Sequence, residues 1–106
     1  MVIEWLKVRV APELREKYIQ KDDEIWTAAL SRYPGFLGKQ VWIDPKKPDE
    51  VTLVIQWESK QAWDSVDAHH MKETEERFNQ EVGKDTHAFI ETGEYQVRKF
   101  PRKAQA

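Results

Sequence analysis

The chain contains no cysteine, and glycine and proline are sparse at four and five of 106 residues. Without thiols there can be no disulfides, thiolate metal sites or cysteine nucleophiles, a composition that suits a cytoplasmic protein. No glycine-rich loop of the kind that cradles phosphate is present, and no Ser-His-Asp order is evident. Neither sign of charge dominates: 17 basic residues face 19 acidic ones. General attraction to nucleic acid or to an anionic membrane therefore does not follow. The first ten residues, "MVIEWLKVRV", carry Glu4 and alternate in polarity. They read as neither a signal peptide nor a membrane span. Repeats, low-complexity segments and linkers are lacking too. What remains is a length that fits one domain, over residues 1–100, with a short basic tail at 101–106. Such a domain buries one modest core, so pairing would help its stability. Aromatic residues are abundant, five of them tryptophan. Rings of that size fill a core, line a pocket or cover an interface.

Periodicity divides the chain cleanly. Residues 2–10 alternate as a strand, with Val2, Leu6, Val8 and Val10 on one face and Ile3, Trp5, Lys7 and Arg9 on the other. Pro12 sits where a first helical turn tolerates proline. Leu14, Tyr18, Ile25, Trp26, Ala29, Leu30 and Tyr33 then recur at helical spacing, interrupted by Asp22. Pro34-Gly35 ends that helix. "FLGKQVWID" predicts a second strand, "PKKPDE" a polar loop and "VTLVIQW" a third strand. Ser59 is a good N-cap for a second helix, whose buried stripe runs Trp63, Val66, His70, Thr74, Phe78 and Val82 before Gly83 stops it. Residues 87–99 predict a final strand. The order β-α-β-β-α-β is ferredoxin-like, an α+β fold with a four-stranded antiparallel sheet covered on one face. The other face carries too much apolar surface to be simply wet, so a second subunit is expected there.

Three stretches carry a resemblance. "YPGFLGKQVW", "WESKQAW" and "HHM" resemble the helix-to-strand turn, the strand-end tryptophan with its capped helix, and the helix histidine of the antibiotic-biosynthesis-monooxygenase type of dimeric α+β barrel proteins. The likeness runs from residue 2 to residue 100 and is stronger still to a small cyanobacterial family of that superfamily. It implies two sheets packed back to back in a barrel-like homodimer, and a pocket between helices and sheet in each subunit. It does not choose a reaction, because the superfamily spans cofactor-independent monooxygenases, haem-degrading enzymes, isomerases and others.

Five residues are candidates for chemistry. Trp57 ends a strand beside Ser59; it is either a core ring at a strand–helix corner or a pocket wall for a flat ligand. His70 lies on the apolar stripe, as a hydrogen-bonded core histidine or as a pocket acid or base. Its neighbour His69 points elsewhere. Glu4 is the polar residue on the Val2–Val10 face; burial there would raise its pKa and suit it to deprotonating a phenol or enol. Alternatively it reaches water or a cation. Asp22 has the same two readings, and Trp26 is core or shares the pocket. The resemblance also raises haem as a ligand for His70. However, the haem-degrading relatives have their histidine near Glu75 or Glu76 and an asparagine where Leu6 stands, so no cofactor is the first expectation. A metal site finds little support in the histidine spacing. The expected function is cofactor-independent oxygenation of a small aromatic substrate, with Trp57, Trp26 and Asp22 binding it and His70 or Glu4 as base. Two alternatives stay open: a protein that binds haem or another flat ligand without catalysis, and a structural or regulatory dimer with a filled core.

Overall fold

The computed structural model describes residues 1–101, so the basic tail beyond Pro101 lies outside the described residues. Strands β1 (Val2–Val10), β2 (Phe36–Trp42), β3 (Glu50–Trp57) and β4 (His87–Gln96) form one sheet in the order β2-β3-β1-β4. Every neighbouring pair is antiparallel. With helices between β1 and β2 and between β3 and β4, this is the ferredoxin-like α+β fold.

Register decides which face of the sheet is covered. Val2, Glu4, Leu6 and Val8 stand opposite Trp57, Ile55, Leu53 and Val51. Directly opposed residues share a face. Val8, Val51 and Trp57 have no exposed surface at all, so this is the face under the helices. Ile3, Trp5 and Lys7 pair with Gln56, Val54 and Thr52 on the open face. Trp42 and Tyr95 join them there, each about half exposed.

The first helical run is not uniform. A 3-10 turn at Pro12–Leu14 leads into α1 (Arg15–Lys21), a π-helical turn (Asp22–Thr27) and the short α2 (Ala28–Leu30). The π turn widens the helix by one residue where an ordinary α spacing was expected. Tyr18, Asp22, Ile25, Ala29 and Leu30 stay buried through it.

The second helical region is two helices, not the single one that its apolar spacing predicts. Ser59 Oγ accepts from Ala62 N at 3.1 Å and starts α3 (Lys60–Asp64). Asp67 then caps α4 (Ala68–Val82), its Oδ1 accepting from His69 N at 2.9 Å. Two competing caps eight residues apart explain the break, because each satisfies the orphan amides of its own helix start. Within α4 Thr74, Phe78 and Val82 are buried, whereas His70, one turn before Thr74, is only partly so, as is Val66 in the break. Strands β2 and β4 also end sooner than expected, at Trp42 and Gln96.

Two apolar clusters sit between sheet and helices. One joins Val8, Val10, Val51 and Leu53 of the sheet to Tyr18, Ile25, Phe78 and Val82. The other gathers Leu30, Ile55 and Trp57, with Phe36, Trp63, Val66 and Met71 packed on them.

The turn into β2 depends on one glycine. Gly35 has φ +87°, and a Cβ there would lie 2.5 Å from Ala62 Cβ of α3. Gly35→Ala is expected to cost about 1–3 kcal/mol, from the left-handed backbone and the clash together. Gly38→Ala, whose Cβ would meet nothing closer than 3.7 Å, should cost less. Thermal melts of the two variants side by side check the order.

Candidate functional site

A cavity of about 650 Å³ remains between the sheet and the helices. The core is therefore not filled, despite its many aromatic residues. Side chains from both apolar clusters line it, together with residues of α3, α4 and β4. Its volume is in the range of small-molecule sites.

Four of the five expected residues meet at this cavity: Glu4, Asp22, Trp26 and Trp57 all line it. Trp57 is wholly buried and stands edge-on to Phe36, with ring centroids 5.6 Å apart. It is at once a core ring and a cavity wall. Its Nε1 donates to Glu4 Oε1 at 3.3 Å. Burial pushes the Glu4 carboxyl above its ordinary value, and that hydrogen bond, followed by the charges of Lys39 and Lys60, only partly offsets the rise.

His70 is not brought to the cavity. Its Nδ1 lies 2.6 Å from the Tyr33 hydroxyl, so it ties the end of the first helical run to α4. On α4 the cavity faces the side that carries Ala68, Met71, Lys72, Glu75 and Phe78, and His70 lies off that side. His69 is exposed and its Nε2 meets Glu73 at 2.7 Å. Haem ligation from His70 does not fit this geometry either, since the imidazole is absent from the lining. Among the described residues no group of three His, Asp or Glu side chains could hold a metal ion.

Sequence reasoning missed Lys39. It comes from β2, and its Nζ lies 2.6 Å from Asp22 Oδ2. Both side chains are nearly sealed, at 3% and 2% exposure, and both line the cavity. The contact is a close, charge-assisted ion pair. Burial raises the Asp22 carboxyl, against the opposing pull of the Lys39 ammonium. The signal was present in the polar break that Asp22 makes in its stripe, but nothing local named the partner. Tyr18, beside this pair, is held neutral by burial and then by the Asp22 charge. His87 of β4 also lines the cavity, packed edge-on against Tyr18 and Phe78, and burial lowers its pKa so that it is neutral near pH 7.

Two outcomes follow from these charges. Glu4 binds its proton more tightly folded than unfolded, so the wild type loses stability as pH rises from the ordinary carboxylate value to the raised one. Glu4→Gln removes that slope, which denaturant titrations across this window would show. Lys39→Met strands a buried carboxylate and should cost about 3–5 kcal/mol, whereas the double change Asp22→Leu/Lys39→Met should be near neutral or stabilising. Equal losses in both variants would contradict the account of the pair.

Comparison with known proteins agrees with this architecture. None of the curated proteins matches the sequence. Among solved structures, the monooxygenase ActVA-Orf6 of Streptomyces coelicolor, determined with nanaomycin D, superposes with a TM-score of 0.75 at 17% identity, over 97% of this chain and 92% of that one. SnoaB, a cofactor-independent oxygenase from Streptomyces nogalater, gives 0.68 at 15% identity over 96% and 97%. A conserved protein from Methanosarcina mazei Go1 gives 0.64 at 18% identity over 92% of each chain. Identities this low establish the fold alone. The sequence profile described as antibiotic biosynthesis monooxygenase matches residues 1–77, and the chain belongs to that family.

Proposed function

We propose that the protein is a cofactor-independent monooxygenase acting on a small electron-rich aromatic substrate. The observation that carries this reading is a partly buried carboxyl, Glu4, held by Trp57 at the wall of a cavity lined mostly by apolar groups. A base with a raised pKa is better matched to a phenol than an ordinary carboxylate is. Glu4 takes the phenolic proton, and the substrate anion then reacts with dioxygen at a ring carbon. Loss of water from the resulting peroxide leaves a carbonyl. One oxygen atom enters the product and the other leaves as water, so a phenol and O2 give a quinone and H2O with no outside reductant. Trp57 and Trp26 form the aromatic walls that orient the ring. Family membership and the described activities of ActVA-Orf6 and SnoaB support the assignment. The role of base falls to Glu4, because His70 does not line the cavity.

Oxygen uptake with 1-naphthol, in the absence of any added cofactor, tests the proposal. The wild type should yield naphthoquinone, and Glu4→Gln should lower turnover by about 10²–10⁴-fold. Undiminished turnover in Glu4→Gln would remove that residue from the mechanism. Tight binding of 1-naphthol with no uptake would favour the reading as a flat-ligand binder.

The same proposal includes a homodimer formed through the open face of the sheet. Trp5, Trp42, Val54 and Tyr95 give that face an apolar character, and the Lys7 among them is paired with Glu91 at 3.6 Å. Charge at its centre would have to be desolvated on pairing. Trp5→Glu should therefore convert a two-subunit mass into a one-subunit mass in sedimentation equilibrium, with the cavity unaltered.

A further inference from the structure

We infer that Asp22 and Lys39 together form a recognition site for a second hydroxyl of the substrate, on the ring edge remote from the oxygen that Glu4 deprotonates. The inference rests on the proposed reading of the cavity as an aromatic-ligand site. Its first support is position. Glu4 is paired with Ile55 across β1 and β3, and Ile55 with Lys39 across β3 and β2. The three residues form one transverse row on the covered face. Two strand spacings separate the Cα atoms of Glu4 and Lys39, about 10 Å. A fused ring lying over Ile55 would thus present one edge to Glu4 and the opposite edge to Lys39.

The second support is spare hydrogen-bonding capacity. Asp22 is buried to 1% exposure, and the Lys39 ammonium at 2.6 Å is the one side-chain partner of its Oδ2 among the described residues. An ammonium has three donors, and Lys39 directs one charge at one oxygen. A hydroxyl is both donor and acceptor. It can give its proton to Asp22 Oδ2 and take a hydrogen bond from Lys39 Nζ, completing both groups at once. Other substituents fit less well. A carboxylate would meet the charge of Asp22, an ammonium that of Lys39, and an ether or ketone has no proton to donate. The third support is the backbone: the π-helical turn begins at Asp22 itself, and such turns are found frequently at functional positions.

Quenching of the tryptophan fluorescence by three naphthalenes tests the inference. The wild type should bind 1,5-dihydroxynaphthalene about tenfold more tightly than 1-naphthol, as a hydrogen bond to a charged group implies. 5-Methoxy-1-naphthol accepts but cannot donate, and should lose that advantage. In Asp22→Leu/Lys39→Met, with folding verified by circular dichroism, the diol and 1-naphthol should bind alike. Equal binding of all three ligands by the wild type would overturn the inference and leave the aromatic site standing. So would a preference for the diol that survives in the double variant. The three-ligand comparison needs no mutation, so it decides the matter even if that variant fails to fold. Binding of none of them would sink both this inference and the reading beneath it.

Discussion

Strand register is the constraint on which the cavity depends. Pairing Glu4 with Ile55, and Ile55 with Lys39, puts a carboxyl and an ammonium on the same covered face. The side-chain period of a strand is two, so a one-residue slip of β1 would turn Glu4 outward and bring Trp5 inward, and the same slip of β2 would exchange Lys39 for Gln40. What prevents the slip is the apolar set on the same face. Val8, Val51 and Trp57 are completely buried, and moving any of them to water would lose on the order of 1.5–3 kcal/mol. The hydrophobic core thus fixes the address of polar groups that oppose folding themselves.

Those groups are tolerated for different reasons. Glu4 keeps one hydrogen bond, from an indole, and its proton is retained to higher pH than usual. Asp22 keeps a cation at close range, although burying two charges costs more than an exposed pair returns. The π turn is part of the same arrangement. It keeps Tyr18, Asp22 and Leu30 on the sheet side of a helix whose phase would otherwise drift between them.

Much of this was legible in the sequence. Alternation along residues 2–10 placed Glu4 with Val2, Leu6 and Val8, and the structure keeps them on one face. Asp22 announced itself by interrupting an apolar stripe, and Trp57 by ending a strand beside a capping serine. Lys39 did not. A single lysine in a strand with exposed edges looks like a solvated residue, and its burial comes only from tertiary packing against Asp22. His70 stands one turn before the buried Thr74 and is only partly buried, and apolar spacing alone did not show that the cavity faces another side of α4, at Ala68, Met71 and Glu75. Asp67, itself a strong cap residue, was the readable sign that a new helix starts just before His70, whose ring meets the Tyr33 hydroxyl.

The position of β1 has a consequence for how the chain reaches this state. β1 is central, yet one of its two partners, β4, is the last of the described strands. While the chain is being synthesised, the edge that β4 will cover stays open until some eighty further residues have emerged, as the pairing of Lys7 with Glu91 illustrates. Pairings this distant in sequence are slow to form, and an unpaired apolar strand invites pairing with other chains in the meantime. Lys7 and Arg9 fall within that strand, and charges at such positions oppose pairing with other chains.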